Sequence, residues 1–320
     1  MNIEEQLSKN YKPSSVRTYG NTLKLIFHKM DYTLTEEPIS KKFDLSKFFD
    51  KIKNLKCTTQ RNYISALIAL LKSRGETKSS FYNALSEKRD FLNDGYTSGV
   101  GTKSISEKNN WIGADKLKTV YEEKILKVLK TYGLLNVKGK KMKLADLSDS
   151  QKDEITGSVI LAFYYSPFQD LENNKTGVLR NDIATLKLCR SSKLPNDNEN
   201  YLWVKSPSKI SVFLNNYKTD HSYGPSEIEL GKDMVTILKN YVSLFEIKND
   251  EKIFGLNKHG ITNLLIKFSK KNFKTSLGTQ MLRKIYLTEK FGDVKKEKEE
   301  VAKNMGHSVS TQSDVYTKDD

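Results

Sequence analysis

Over most of this chain apolar residues recur every three or four positions, and alternation is confined to residues 201–230. That change of period limits the fold to helices gathered around one small sheet. In "SSVRTYGNTLKLIFHKM", Val16, Tyr19, Leu23, Ile26, Phe27 and Met30 share one helical face, with Ser14 or Ser15 placed to cap its start after Pro13. "DLSKFFDKIKNL" is a shorter amphipathic set. "TTQRNYISALIALLKSRG" opens on capping threonines, carries Tyr63, Ile64, Leu67, Ile68 and Leu71, and stops at Gly75. Residues 1–88 therefore read as an all-α bundle. Residues 89–110, with Gly95, Gly99 and Gly101 among polar residues, read as an exposed linker and a domain boundary. Beyond it, in 111–320, helices are expected at 112–132, 150–165, 181–190, 231–246, 259–271, 279–291 and 295–304. Between them Ile210, Val212 and Leu214 alternate, and a polar turn containing Lys218 leads to Ile228 and Leu230. The fold class is thus mainly α with a small antiparallel β-sheet, an α+β domain preceded by a helical bundle.

Charge narrows the partners. A net charge of +15 favours a polyanion, because each neutralised phosphate releases a counterion. A lysine-rich solvated surface is the plainer explanation of the same number. Arginine usage is more selective. Of 54 basic residues only seven are Arg, and beyond residue 90 only Arg180, Arg190 and Arg283 remain. A chain that uses Lys almost everywhere keeps Arg where a bidentate fork is needed, which makes those three candidates before any motif is considered. No apolar run approaches the roughly 18 residues of a membrane span, and the start lacks the basic-then-apolar pattern of a signal peptide, so an intracellular protein is expected. Cys57 and Cys189 are far apart and read as reduced thiols. His28, His221, His259 and His307 are scattered and form no zinc motif, so neither metal nor cofactor is expected.

Four stretches in order, "TGVLRNDIATLKL", "NNYKTDHSYGPSEIEL", "TQMLRKIYLTEKFG" and "NMGHSVSTQSDVYTK", resemble the catalytic domain of the tyrosine recombinases, the integrase-like enzymes that share chemistry with type IB topoisomerases. The resemblance covers roughly residues 110–320. A weaker similarity, in "KPSSVRTYGNTL" and "TTQRNYISALIALLKS", is to the helical core-binding domain that precedes it. The wording looks most like members from large DNA viruses and their mobile elements. The resemblance implies a two-domain clamp on double-stranded DNA, working with other copies of itself as a dimer or tetramer on paired sites. It places such a protein on DNA in the cytoplasm, viral factory or nucleus. It also implies roles. Tyr316 would be the nucleophile that forms a covalent 3′-phosphotyrosyl intermediate. Arg180 and Arg283 would clamp the non-bridging oxygens, His307 would donate a further hydrogen bond, and Lys218 would protonate the leaving 5′-oxygen.

Each of these residues has a plain reading when taken singly. Arg180 would be a surface residue near a helix start, Arg283 a snorkelling one, Lys218 one lysine among many, His307 a residue after a helix cap and Tyr316 a packing tyrosine. The conjunction in family order is what carries the expectation. Two departures stand out. The family usually has His three residues before its second arginine, where this chain has Gln280, which can hydrogen-bond phosphate but cannot act as a base. The acidic residue that follows the first arginine is Asp182, two positions on rather than three, a possible support for Arg180. Alternative readings are a type IB relaxase and a recombinase-derived DNA-binding protein that has lost activity.

Overall fold

The computed structural model describes residues 2–98, 103–135, 142–170, 178–195 and 197–304. His307 and Tyr316 lie outside the described residues. The chain divides into two compact units, Met1–Thr102 and Lys103–Asp320.

The first unit is helical throughout its described residues: α1 (Ile3–Ser8), α2 (Pro13–Met30), α3 (Ile39–Lys42), α4 (Leu45–Ile52), α5 (Cys57–Ser73) and α6 (Ser80–Ser98). Pro13 is the first residue of α2, where its missing N–H costs nothing, so Lys12 holds the cap position in place of Ser14 or Ser15. α5 begins at Cys57, which puts Thr58 and Thr59 inside its first turn instead of before it. Its end is as the glycine suggests. Gly75 sits at φ +73°, its N–H donates to Lys72 O at 3.1 Å, and the Glu76 N–H donates to Leu71 O at 2.9 Å. α5 is buried along Tyr63–Leu71 on all but one position and packs against α1, α2 and α6. Leu23, Ile26, Phe27 and Met30 of α2 face it from the stripe that the spacing marks out, with Val16 and Tyr19 half-buried at its edge. Arg74 closes this core. Its guanidinium donates to the carbonyls of Thr35, Glu36 and Glu37 and to the Glu76 carboxylate, a set no ammonium could satisfy.

The expected linker at 89–110 is corrected. Residues 89–98 continue α6, and α7 (Ile105–Asn110) follows with a capping box in which Ser104 and Glu107 each bond the other's backbone N–H. The division between units falls after Thr102.

The second unit is built around α10 (Asp149–Tyr165), buried without a break from Ile155 to Tyr165. Against it pack α8 (Ala114–Val120), a π turn (Tyr121–Ile125), α9 (Leu126–Thr131), α12 (Lys232–Leu244) and α13 (Lys258–Phe273). Gly157 is where α10 and α13 meet. A Cβ there would stand 2.7 Å from Phe268 Cδ2, so only glycine permits the approach. The sheet has four strands in the order β1 (Leu186–Cys189), β2 (Asn200–Ser206), β3 (Lys209–Leu214) and β4 (Ser226–Glu229). β2, β3 and β4 are antiparallel as expected, but β1 runs parallel to β2, so the sheet is mixed. β1 also replaces much of the helix expected at 181–190. Leu186 and Leu188 are both buried, and their backbones pair on one side with β2 and on the other with residues 250–253. Two flanking partners outweigh the helical preference of so short a segment. The 3₁₀ turn Asn181–Thr185 precedes it.

The two helices expected at 279–291 and 295–304 are a single one, α14 (Thr279–Asn304). Gly292 inside a helix costs only about 1 kcal/mol against alanine, too little to stop it alone. Cys57 is half-buried, Cys189 is buried, and both are free. No helix among the described residues is long and apolar enough to cross a membrane.

Gly157→Ala should lower the stability of the second unit by about 1–3 kcal/mol through overpacking. Denaturant unfolding of the full chain measures this, and an unchanged midpoint would mean α13 shifts freely.

Candidate functional site

The geometry starts at the N-terminal ends of three elements. Arg180 precedes the 3₁₀ turn Asn181–Thr185, and its extended backbone leaves its side chain exposed. Its carbonyl accepts a 3.0 Å hydrogen bond from the hydroxyl of Tyr164, which is fully buried near the end of α10. Burial first, and then Asp182, push the Tyr164 phenol far above its ordinary value, so it remains a neutral donor. Arg283 lies in the second turn of α14, half-buried, between Leu282 on one side and the buried pair Ile285 and Tyr286 on the other. Its guanidinium is held below its ordinary value, first by burial and then by the positive charge of Arg180. Tyr164 and Asp182 act in the opposite direction on it. The two arginines are therefore close enough to repel each other, with Arg283 half-buried and Arg180 exposed.

Asn181 is what brings them together. Its Nδ2 donates to Thr262 Oγ1 at 2.6 Å and to Lys258 O at 3.1 Å, both on α13. Its Oδ1 accepts from the hydroxyl of Thr279, the buried first residue of α14. One carboxamide thus ties the Arg180 segment to the first turns of both helices. Asp182 is buried beside it and accepts from Lys258 Nζ at 2.6 Å. Asp182 is thus paired with Lys258 and acts electrostatically on Arg283, and among the described residues it accepts no hydrogen bond from Arg180. Gln280 is exposed in the first turn of α14 with no hydrogen-bond partner among the described residues.

Lys218 lies where the alternation places it, exposed in the connection between β3 and β4. It makes no contact with either arginine, but the base of its loop is fixed to their segment. Asn200, buried on β2, donates through Nδ2 to Thr185 Oγ1 and Asn216 O, each at 2.8 Å. Its Oδ1 accepts the N–H groups of Asn215 and Asn216, also at 2.8 Å. Thr185 in turn donates to Asp182 O at 2.7 Å. Further along the loop, the Tyr217 hydroxyl donates to Gly224 O at 2.6 Å. Gly224 has φ +67° and ψ −168°, a region essentially restricted to glycine. Arg190, the third candidate arginine, is exposed at the end of β1, and its backbone N–H donates to Asn249.

The structure thus brings together Arg180, Arg283 and Asp182, sets Lys218 on a loop rooted in the same network, and leaves Gln280 at the rim. Asn181, Thr279, Tyr164, Lys258 and Asn200 were not singled out from the sequence. The available signal was adjacency, since Asn181 directly follows Arg180 and Thr279 directly precedes Gln280. Among the described residues no group of three or more His, Cys, Asp or Glu is placed to hold a metal ion. Two neighbouring guanidinium groups, one of them half-buried, are suited to an oxyanion with more than one acceptor oxygen.

No protein-family model, curated protein sequence or solved structure matches the chain.

Asn181→Ala should strand the buried Thr279 hydroxyl and remove the Asn181 bonds to α13, costing about 1–3 kcal/mol. Thr279→Val should cost a similar amount, and the double variant little more than either. Strict additivity in the double-mutant cycle would show that the two side chains do not act as one clamp.

Proposed function

We propose that this protein is a site-specific DNA recombinase that cleaves and rejoins strands through a covalent 3′-phosphotyrosyl intermediate. The observation that carries the reading is the proximity of Arg180, exposed, and Arg283, half-buried, two of the few arginines in the chain. In this reading the Tyr316 oxygen attacks the scissile phosphorus, the bond to the 5′-oxygen breaks, and Lys218 protonates that oxygen as it leaves. Arg180 and Arg283 neutralise the non-bridging oxygens as charge develops. A 5′-hydroxyl of another strand reverses the step, so the phosphodiester energy is conserved and no ATP is needed. Both units would contact duplex DNA, with the charge of +15 supplying sequence-independent affinity. Strand exchange would require further copies of the chain on paired sites. Gln280 can hydrogen-bond the phosphate but leaves tyrosine deprotonation to another group.

The length of α14 places a condition on this reading. From Arg283 to Asn304 the helix runs on the order of 30 Å, at about 1.5 Å per residue. The three residues from Asn304 to His307 span at most about 11 Å. His307 therefore joins the arginines only if α14 folds back. Leu287, Phe291, Val294 and Val301 are exposed along one face of that helix, and Gly292 lies among them. Folding back at Gly292 would give those side chains something to cover.

A suicide duplex, nicked so that the released fragment diffuses away, tests the reading. The full chain should form a covalent adduct at Tyr316, Tyr316→Phe should form none while binding DNA as before, and strand exchange should depend on the site. Relaxation of plasmid DNA without site preference would assign the chain to the relaxases instead, and tight binding with no adduct would exclude an enzyme. Gly292→Ala fits the straight helix, with Thr288 Cγ2 3.7 Å from the added Cβ. At about 1 kcal/mol in favour of the straight form, it should slow adduct formation roughly fivefold. An unchanged rate would show that no fold-back precedes cleavage.

A further inference from the structure

A second feature lies apart from the arginines, in the half of α14 that leaves the second unit. Ile285 and Tyr286 are its last buried residues, and from Leu287 to Val301 no described residue is buried. A lone helix of about 12–15 residues is marginal in water and ordinarily relies on a packed face. Such a face is present here but uncovered among the described residues. Leu287, Phe291 and Val294 are each 49% exposed and Val301 39%. Their spacings of four, three and seven are those of a coiled-coil seam, with Lys298 in the one polar position between Val294 and Val301. Eight large apolar side chains are exposed among the described residues, and four of them stand on this one stripe. Single exposed apolar residues are ordinary, whereas a contiguous set marks an interaction surface.

The charges bordering the stripe decide what can cover it. Lys290 and Glu297 follow one edge, and Thr288 and Lys295 the other. A second α14 laid parallel and in register would set Lys298 against Lys298 inside the seam, and Lys290 against Lys295 across its edge. Like charges so placed are destabilising. Laid antiparallel, the same helix complements itself. Phe291 then meets Val294 of the second copy, and Lys290 meets its Glu297. Leu287 meets its Lys298, whose aliphatic stem can lie along the leucine while the ammonium stays in water. The two-fold axis repeats each of these contacts.

We propose that in the absence of DNA two copies of this chain associate through α14, paired antiparallel along Leu287–Val301. Phe291 and Val294 form the centre of the contact, and two Lys290–Glu297 pairs form one rim. Two helices in contact fall at the small end of protein interfaces, below about 1,200 Å², so the pair forms reversibly with concentration. It needs only the helix as it stands and no strand-transfer activity. A copy whose α14 folded back at Gly292 would leave the pair.

The test is sedimentation velocity of the full chain over a range of concentrations without DNA, so its outcome is separate from whether Tyr316 forms an adduct. The chain should pass from monomer to dimer as concentration rises. Phe291→Gln with Val294→Gln should weaken the dimer at least about a hundredfold, because four apolar side chains leave the centre of a two-fold pair. Lys290→Glu alone and Glu297→Lys alone should each weaken it roughly fivefold or more at low salt, by setting like charges opposite one another twice. Mixing those two single variants should restore a dimer as strong as the parent's, since each then meets its complement. None of the four positions is buried, so none of the changes should disturb the fold.

A chain that stays monomeric at every concentration would overturn the proposal. Pairing that appears only after residues 305–320 are removed would overturn it as well, and would assign the stripe to that segment. A dimer untouched by the Phe291 and Val294 changes, or a mixture of the charge variants no stronger than its components, would do the same.

Discussion

Two like charges near each other, one exposed on Arg180 and one half-buried on Arg283, are the constraint around which the second unit is arranged. Three restraints hold the segments that carry these side chains. Tyr164 holds the Arg180 carbonyl from the end of the central helix. Asn181 ties the next residue to the first turns of α13 and α14. Leu282, Ile285 and Tyr286 fix the rotation of α14 about its axis by burying the faces on either side of Arg283. None of these groups needs to carry charge, and the one buried charge nearby, Asp182, is paired with Lys258. The result is a positive locality whose repulsion a bound anion would relieve.

The rest of the unit serves this locality through α10. Its unbroken burial makes it the reference against which the other elements are placed, and the Gly157–Phe268 contact fixes how closely α13 can lie on it. The sheet enters by a different route. Asn200, using all four of its hydrogen-bonding positions, connects the 3₁₀ turn after Arg180 to the root of the loop that carries Lys218. A lysine on a long loop is otherwise poorly placed for a defined role, so this buried amide is what relates it to the arginines at all.

How much of this could be read in advance follows from how local each cause is. Helices with a repeating apolar face were legible, because the three- and four-residue spacing of Leu23, Ile26, Phe27 and Met30 is itself the face that packs. The alternation of Ile210, Val212 and Leu214 gave the strand in the same way. β1 was not legible, since "LKLC" becomes a strand only through partners on both sides, one of them more than sixty residues away at 250–253. The parallel pairing of β1 with β2 was hidden for the same reason. In 89–110 the glycine-rich composition suggested a linker, whereas residues 89–98 continue α6 and Ser104 and Glu107 cap α7. At the site, Arg180, Arg283, Lys218 and Asp182 announced themselves by chemical type. Asn181, Thr279 and Asn200 did not, because an amide or hydroxyl that satisfies backbone and side-chain partners across a fold has no local signature.

The central claim is that Arg180 and Arg283 act as one anion site, and the most direct measurement is the Nε–Hε resonance of each arginine during titration of the full chain with inorganic phosphate. A shared site predicts that both resonances move along one binding curve, and that Arg180→Ala removes the response of Arg283. Separate curves, or an Arg283 response that survives Arg180→Ala unchanged, would contradict it.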